Sequence, residues 1–417
     1  MLVFMRSFGK GSVSLRQKRN LKTRNLTATE SPPKSHRSPM MFPKPAGNFV
    51  ELSVQIDKIY FFLIIFSRFA CICAFFVVTL HAKLFNDSNM KKNIAIIAGG
   101  DSSEYGVSLR SAAGIYSFMD KEKYNITIVC LRGNDWKAQV SEDEWVAMDK
   151  NDFSFTYNGT KTTFDFAYIT IHGTPGENGV LQGYLDMIGL PYSCCGVLAA
   201  AMTFNKFTCN HYLKSFGVRT AASILLRKGN NRPTAQEIIN EVGLPCFIKT
   251  NVGGSSFGVT KVKTLEDVEP AIEKAFAEGN EVICEAFMKG VEITCGVYKT
   301  KNNAVAFPIT EVVTSNEFFD YDAKYNGQVD EITPARIPDE VRDQVQALTL
   351  KIYDILGCKG IIRVDYILTE GWTINLLEVN TTPGMTTTSF IPQQVRAAGL
   401  DIKQVLNEII EDQLLNS

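Results

Sequence analysis

Two pairs of polar side chains near the C-terminus have spacing that could do chemistry. Arg363 with Asp365, and Glu378 with Asn380, each sit at i, i+2 inside a β-rich run. In a strand, that spacing puts both members on one face. If the two runs pair, two carboxylates, an amide oxygen and a guanidinium converge. Such hard oxygens suit Mg²⁺ held jointly by protein and nucleotide phosphates, and Arg363 can neutralise charge on a transferring phosphoryl group. Solvated cross-strand pairs are the alternative. Ile361, Ile374 and Leu376 at neighbouring i, i+2 positions are apolar, which predicts a covered face.

Three further strings lie upstream or just downstream. His172-Gly-Thr-Pro-Gly-Glu-Asn-Gly179-Val-Leu-Gln-Gly183 follows an apolar run, and its glycines expose backbone N–H groups to a small ligand. His172 either faces that ligand or is a structural histidine at a strand end. Lys249-Thr-Asn-Val-Gly253-Gly-Ser255-Ser256-Phe-Gly258 has the glycines and hydroxyls of a phosphate-cradling loop, with Lys249 adding a point charge. It is not a Walker A loop, and a plain hairpin turn is the competing reading. Asn380-Thr-Thr-Pro-Gly384-Met-Thr-Thr-Thr-Ser389-Phe390 is a hydroxyl-dense turn, either functional or inert. The aperiodic stretch 316–331, with Tyr321, Lys324 and Tyr325, suits an active-site lid as well as an ordinary surface loop.

The elements that must position these groups alternate from Met90 onward. Ile94–Ala98, Tyr124–Leu131 and Phe166–Ile171 read as strands, with helices at Val107–Phe118 and Gly179–Ile188. This alternation predicts an open parallel α/β sheet with ligands at the strand C-termini. Helices are expected at Lys206–Phe216 and Arg232–Glu241. Cys246–Thr250, Val282–Phe287 and Glu292–Lys299 read as strands of a second, smaller unit. Gly360–Leu368 and Trp372–Glu378 form a pair across a Thr-Glu-Gly turn, flanked by helices Asp339–Leu356 and Ile402–Leu415.

Charge separates the chain's two parts. Residues 1–89 hold 13 Lys/Arg against 4 Asp/Glu; against totals of 43 and 44, residues 90–417 hold 30 and 40 and are net −10. An acidic body argues against a nucleic-acid partner. The 10 cysteines form no paired framework and fit a reducing compartment with buried thiols. Residues 1–45 read as a basic disordered stretch. Ile59–Leu80 is long and apolar enough to span a bilayer, but Arg68 sits near its middle and the preceding basic flank would export the body. A start at Met90 is the simpler reading, with residues 1–89 outside the enzyme and dispensable, and membrane contact only through residues 59–80.

Together the strings resemble the D-alanine–D-alanine ligases of the ATP-grasp superfamily, from Lys92 to Leu415 with every motif in order. The resemblance implies an α/β ATP-grasp architecture: an N-terminal open parallel α/β domain (90–197), a central domain (198–298) and a C-terminal domain (299–417), the last two of α+β type and enclosing the nucleotide. It implies a cytoplasmic enzyme that joins two D-alanines through an acyl phosphate, releasing ADP and phosphate, for peptidoglycan synthesis. On this match Glu104 orients the first D-alanine's ammonium, near His172, and forms a triad with Ser255 and Tyr325. Lys206, Lys249, Ser256 and Lys324 contact the nucleotide, Glu285, Ala286, Phe287 and Met288 form the adenine hinge, and Glu292 meets the ribose. Asp365, Glu378 and Asn380 match the ligands of two Mg²⁺ ions, replaceable by Mn²⁺. Arg363 and the Gly384 amide match the oxyanion-stabilising groups, and Ser389 and Phe390 the site for the second substrate's carboxylate. The family resemblance also implies a homodimer and leaves a monovalent-cation requirement open.

Departures are few. Gly106 stands where many relatives carry an acidic residue, and the hinge lacks the lysine that commonly follows its glutamate. Tyr325 favours D-alanine as acceptor over D-lactate, and bears less on D-serine. A catalytically silent, membrane-tethered nucleotide-binding protein is the non-enzyme alternative; the intact set Lys249, Arg363, Asp365, Glu378 and Asn380 argues against it.

Overall fold

The computed structural model describes residues 60–63, 65–68, 91–253, 259–314 and 329–415. The chain divides into two units, Met1–Phe85 and Asn86–Ser417. In the first, residues 60–63 and 65–68 are helical with exposed side chains. The rest of the basic stretch and of Ile59–Leu80 lies outside the described residues. Among those described, no helix is long and apolar enough to cross a membrane. All that follows concerns the second unit.

Its first sheet grows from the apolar run Lys92–Gly99 (β1), whose residues Ile94–Ala98 are fully buried. Helix α1 (Tyr105–Phe118) follows, then β2 (Tyr124–Arg132), β3 (Asp135–Gln139), β4 (Trp145–Asp149), β5 (Ser154–Tyr157), β6 (Thr160–Thr162), β7 (Phe166–Ile169) and α2 (Val180–Ile188). β2, β1 and β7 are parallel, as the alternating pattern predicts. The expectation of a parallel sheet needs correcting beyond this trio. The order is β6-β5-β4-β3-β2-β1-β7, and β3 to β6 are antiparallel, so the sheet is mixed. The β5–β6 turn is Asn158-Gly159 with φ of 49° and 77°, a geometry that suits a two-residue hairpin. Ile94, Ile96 and Ala98 pack with α1 on one face; Ala95 and Ile97 meet Leu181 and Leu185 of α2 on the other. Each isoleucine and leucine among them contributes roughly 1.5–3 kcal/mol when fully buried.

The next elements are α3 (Val197–Phe204), α4 (Lys206–Lys214), β8 (Ser223–Arg227), α5 (Ala235–Val242), β9 (Cys246–Thr250), β10 (Thr260–Val262), α6 (Val268–Glu278) and β11 (Glu281–Ala286). Their four strands form an antiparallel sheet ordered β10-β9-β11-β8. α5 begins later than Arg232 because Thr234 caps it. The Thr234 hydroxyl accepts from the Glu237 N–H, and the Glu237 carboxylate accepts from the Thr234 N–H at 2.8 Å.

The last part holds β12 (Val291–Lys299), β13 (Ala304–Ala306), β14 (Thr310–Thr314), β15 (Val329–Ile332), α7 (Asp339–Leu356), β16 (Ile361–Thr369), β17 (Thr373–Asn380), α8 (Phe390–Ala397) and α9 (Ile402–Leu415). The order is β15-β14-β12-β16-β17, with β13 on β12. Glu292–Lys299 therefore belongs to this third sheet, not to the smaller unit with β9 and β11. Its Ile293, Cys295 and Val297 complete the core between the sheet and α7. At the crossing, Gly290 packs so closely that a Cβ would lie 2.1 Å from the Leu368 carbonyl oxygen. α9 returns to the first sheet, where Val405, Leu406, Ile409 and Ile410 join α1.

A second correction concerns the faces of β17. Asp365 pairs with Glu378, but Tyr366 pairs with Leu376, so Leu377 is an extra residue and a bulge. The bulge turns Ile374 and Leu376 to the α7 side, where Tyr366 and Leu368 also lie. Of the three apolar neighbours expected beside the acidic pair, only Ile361 shares its face.

Candidate active site

A cleft of about 1030 Å³ is lined by the four-stranded and six-stranded sheets and by loops from the N-terminal sheet. It gathers Glu104, His172, Lys206, Lys249, Glu285 to Met288, Glu292, Arg363, Asp365, Glu378, Asn380, Gly384, Ser389 and Phe390. Ser255, Ser256, Lys324 and Tyr325 lie outside the described residues.

The acidic centre is built on β16 and β17, where register sets Arg363 opposite Asn380 and Asp365 opposite Glu378. Asp365 is 6% exposed and heavily bonded. It accepts from Arg363 Nε at 2.9 Å and a terminal guanidinium nitrogen at 2.8 Å, from Asn380 Nδ2 at 3.0 Å, and from the Thr294 hydroxyl at 2.5 Å. Burial works against the charge on Arg363, but Asp365 outweighs it and holds the guanidinium pKa above its ordinary value. Asn380 gives its N–H to Asp365, which turns its amide oxygen to other partners. Two carboxylates and that oxygen fit a hard divalent cation. Among the described residues no three His, Cys, Asp or Glu side chains are grouped as metal ligands.

Two lysines approach from the other sheet. Lys206 opens α4; its ammonium donates to the Gly253 carbonyl at 2.8 Å and lies 3.5 Å from Glu378. Lys249 on β9 pairs with Glu285 on β11 at 2.5 Å, both well buried. Burial disfavours the Lys249 charge, yet Glu285 and Glu378 outweigh it and raise its pKa. The Glu285 carboxylate thus serves Lys249, a pairing that hinge recognition alone does not foresee.

On the N-terminal side Glu104 sits at the N-cap of α1 and faces the cleft. His172, 7% exposed, lies with Nε2 at 3.2 Å from the Ser111 hydroxyl. Burial lowers its pKa, with Glu104 opposing, so the ring is held neutral. The Ser111 hydroxyl also accepts from the Met385 N–H at 3.4 Å, tying this wall to the Pro-Gly turn.

Several further residues line the cleft. Glu177 stands among the glycines after His172 and accepts from the Gly173 N–H at 2.7 Å. Burial pushes its pKa up to about 7, and the nearby Glu104 adds to this. A carboxylate inside a glycine run after a strand was the available signal. Thr294 was legible by alternation with Glu292 on β12. Glu331 and Gln393, also on the cleft wall, carried no such signal. Ser389 is the N-cap of α8, and Phe390 lies under the Arg363 guanidinium at 5.3 Å.

A four-stranded antiparallel sheet and a larger sheet closing on one cleft, with lysines on one wall and paired carboxylates on the other, define an ATP-grasp enzyme. Residues 93–195 match the family model described as D-ala D-ala ligase N-terminus, and residues 212–411 that described as D-ala D-ala ligase C-terminus. The chain is 67% identical over 323 residues to D-alanine–D-alanine ligase of Phocaeicola vulgatus, covering 78% of this chain and 99% of that one. It is 68% identical over 323 residues to the same enzyme of Bacteroides fragilis, with the same coverage. Among solved structures, VanG D-Ala:D-Ser ligase from Enterococcus faecalis superposes with a TM-score of 0.70 at 30% identity, covering 77% of this chain and 99% of that one. D-alanine–D-alanine ligase from Bacillus anthracis complexed with ATP gives 0.63 at 29% identity, covering 78% and 98%. The chain belongs to the D-alanine–D-alanine ligase family.

Proposed function

We infer that the chain joins two D-alanines to D-alanyl-D-alanine at the expense of ATP, releasing ADP and phosphate, and so supplies peptidoglycan synthesis. The observation that carries this reading is the placement of Lys206 and Lys249 on one wall of the cleft, facing Arg363, Asp365, Glu378 and Asn380 on the other. Asp365, Glu378 and Asn380 would hold Mg²⁺, whose charge lowers the cost of moving the γ-phosphoryl group. We take the family's two-ion stoichiometry, and Mn²⁺ as a substitute, as part of this proposal.

In this reading Glu104 holds the first D-alanine's ammonium, and the neutral His172 ring lies beside that substrate. Lys206, Lys249 and Ser256 grip phosphate oxygens. Ala286, Phe287 and Met288 frame the adenine, with Glu292 at the ribose. Attack of the first carboxylate on the γ-phosphorus gives an acyl phosphate and ADP; Arg363 and the Gly384 N–H stabilise the charge on the oxygens. Ser389 and Phe390 hold the second D-alanine so that its amine, its ammonium proton given up to solvent, attacks the activated carbonyl, the C–N bond forming as the C–O bond to phosphate breaks; this placement supplies an orientation gain. Phosphate then leaves. Ser255, Lys324 and Tyr325 complete the site by analogy with the family.

We divide the enzyme at 90–197, 198–290 and 291–417, which moves β12 into the C-terminal domain. Residues 1–89 are proposed to stand outside it. A reducing, cytoplasmic setting is supported by eight free cysteines among the described residues. A homodimer is supported by the exposed apolar side chains Val180, Met187 and Leu198 on the adjoining helices α2 and α3.

The test is phosphate release from ATP by the full chain, comparing D-alanine, L-alanine, D-lactate and D-serine. D-alanine-dependent release is expected, and its absence would overturn the reading. D-serine turnover matching that with D-alanine would move the acceptor assignment towards the D-Ala:D-Ser relative. Glu378→Gln is expected to abolish turnover with an unchanged circular dichroism spectrum; near-normal activity would overturn the metal assignment.

A further inference from the structure

Two consecutive glutamines fasten α8, the helix that begins at the acceptor subsite, to the strands beside it. Gln394 is fully buried. Its amide donates to the Thr294 carbonyl and the Thr310 hydroxyl, each at 3.0 Å, and its oxygen accepts from the Gly296 N–H at 2.9 Å. The Thr310 hydroxyl in turn shares a hydrogen bond with that of Thr333 at 2.6 Å, joining the start of β14 to the residue after β15. Gly296 makes the close packing feasible, since a Cβ there would lie 2.4 Å from the Ile391 methyl. The backbone of α8 is thereby pinned.

Gln393, one position earlier, faces the cleft. Its Nε2 donates both to the Glu331 carboxylate on β15 and to the Thr388 carbonyl at 2.7 Å. Thr388 precedes Ser389, whose hydroxyl accepts from the Thr386 N–H at 3.1 Å and meets the Thr386 hydroxyl at 2.7 Å. One amide therefore bridges a carboxylate on the third sheet and the turn that carries the acceptor groups. Glu331 and Gln393 both line the cleft, and neither has a role in the reading given above.

We propose that Gln393 and Glu331 are positioning residues for the acceptor amino acid: Gln393 fixes the Thr388–Ser389 turn and holds the Glu331 carboxylate away from the acceptor's own carboxylate. The proposal rests on the reading of Ser389 and Phe390 as the acceptor subsite. A carboxylate released from its donor would repel the incoming anion, because like charges a few ångströms apart interact strongly beside a partly dry cleft. A shift in the 386–389 turn would act in the same direction. The donor subsite at Glu104 and His172 stands on other elements and should not feel either change.

The test is steady-state phosphate release across D-alanine concentration, which resolves a donor and an acceptor constant. Gln393→Ala, which both frees the Glu331 carboxylate and loosens the turn, is expected to raise the acceptor constant about tenfold, and Glu331→Ala, which loosens the turn alone, about fivefold. The donor constant and the KM for ATP should stay within twofold. The double alanine variant should be no worse than the more affected single one, because the two side chains act as a unit. Glu331→Gln keeps an acceptor for the Gln393 N–H and should restore the acceptor constant to within threefold of wild type. An unchanged acceptor constant in both single variants, equal movement of all three constants, or fully additive effects would overturn the proposal. Absence of D-alanine-dependent release by the wild-type chain would instead strike at the ligase reading itself.

Discussion

Glu177 offers a sharp test of the electrostatics of the cleft. In the folded nucleotide-free enzyme, burial raises its pKa from 4.5 to about 7, with the Glu104 charge adding and the Gly173 N–H, the Thr382 hydroxyl and Lys206 opposing. A carboxyl group with a raised folded pKa favours the fold in its protonated form. Its contribution is therefore fully present below pH 4.5 and is lost as pH climbs through about 7. The rise corresponds to about 3 kcal/mol at full expression, of which about 2–3 kcal/mol should be seen between pH 5 and pH 8.5. Glu177→Gln removes the titration while keeping an oxygen for the Gly173 N–H. Urea unfolding followed by circular dichroism, run on both proteins at half-unit pH steps, isolates the effect because all other titrations cancel in the difference. The two should have similar stability near pH 5, and the variant should be the more stable by about 2–3 kcal/mol at pH 8.5. A gap independent of pH, or one that shrinks as pH rises, would refute the reasoning.

Two further expectations concern backbone geometry. Gly360 has φ of +66°, and a Cβ there would sit 1.8 Å from the Ser193 carbonyl oxygen, so Gly360→Ala should cost about 3 kcal/mol or more in urea unfolding. Thr234→Ala removes one half of the α5 capping box and should cost about 1 kcal/mol by the same measurement, with turnover unaffected.

The legible parts of the chain were those where one period dominates. α7 and α9 match their amphipathic runs at both ends, and β1 was readable as a short apolar run ending in two glycines. α3 escaped because Val197–Phe204 is apolar nearly all round and shows no face. α8 escaped because Pro392 and two glutamines make it look like the tail of a turn, although Pro392 lies in its first turn, where no N–H is needed. β3 to β6 are short and half exposed; their clearest mark, Asn158-Gly159, sits in a polar stretch that otherwise reads as loop. In the site, the carboxylates are legible from spacing within single strands. Partners from distant segments, such as Thr294 on Asp365 or Lys249 on Glu285, needed the sheet registers to bring them together.

The extra residue at Leu377 makes the chemistry of β17 a matter of phase. N-terminal to it, even-numbered side chains feed the hydrophobic interior; beyond it, even-numbered Glu378 and Asn380 look into the nucleotide cleft. A regular strand carrying the same residues without the bulge would set Ile374, Leu376, Glu378 and Asn380 on one face. Either the two polar groups would be driven into oil or the aliphatic ones into water. The bulge at this point is thus as binding a requirement as the identity of the acids themselves.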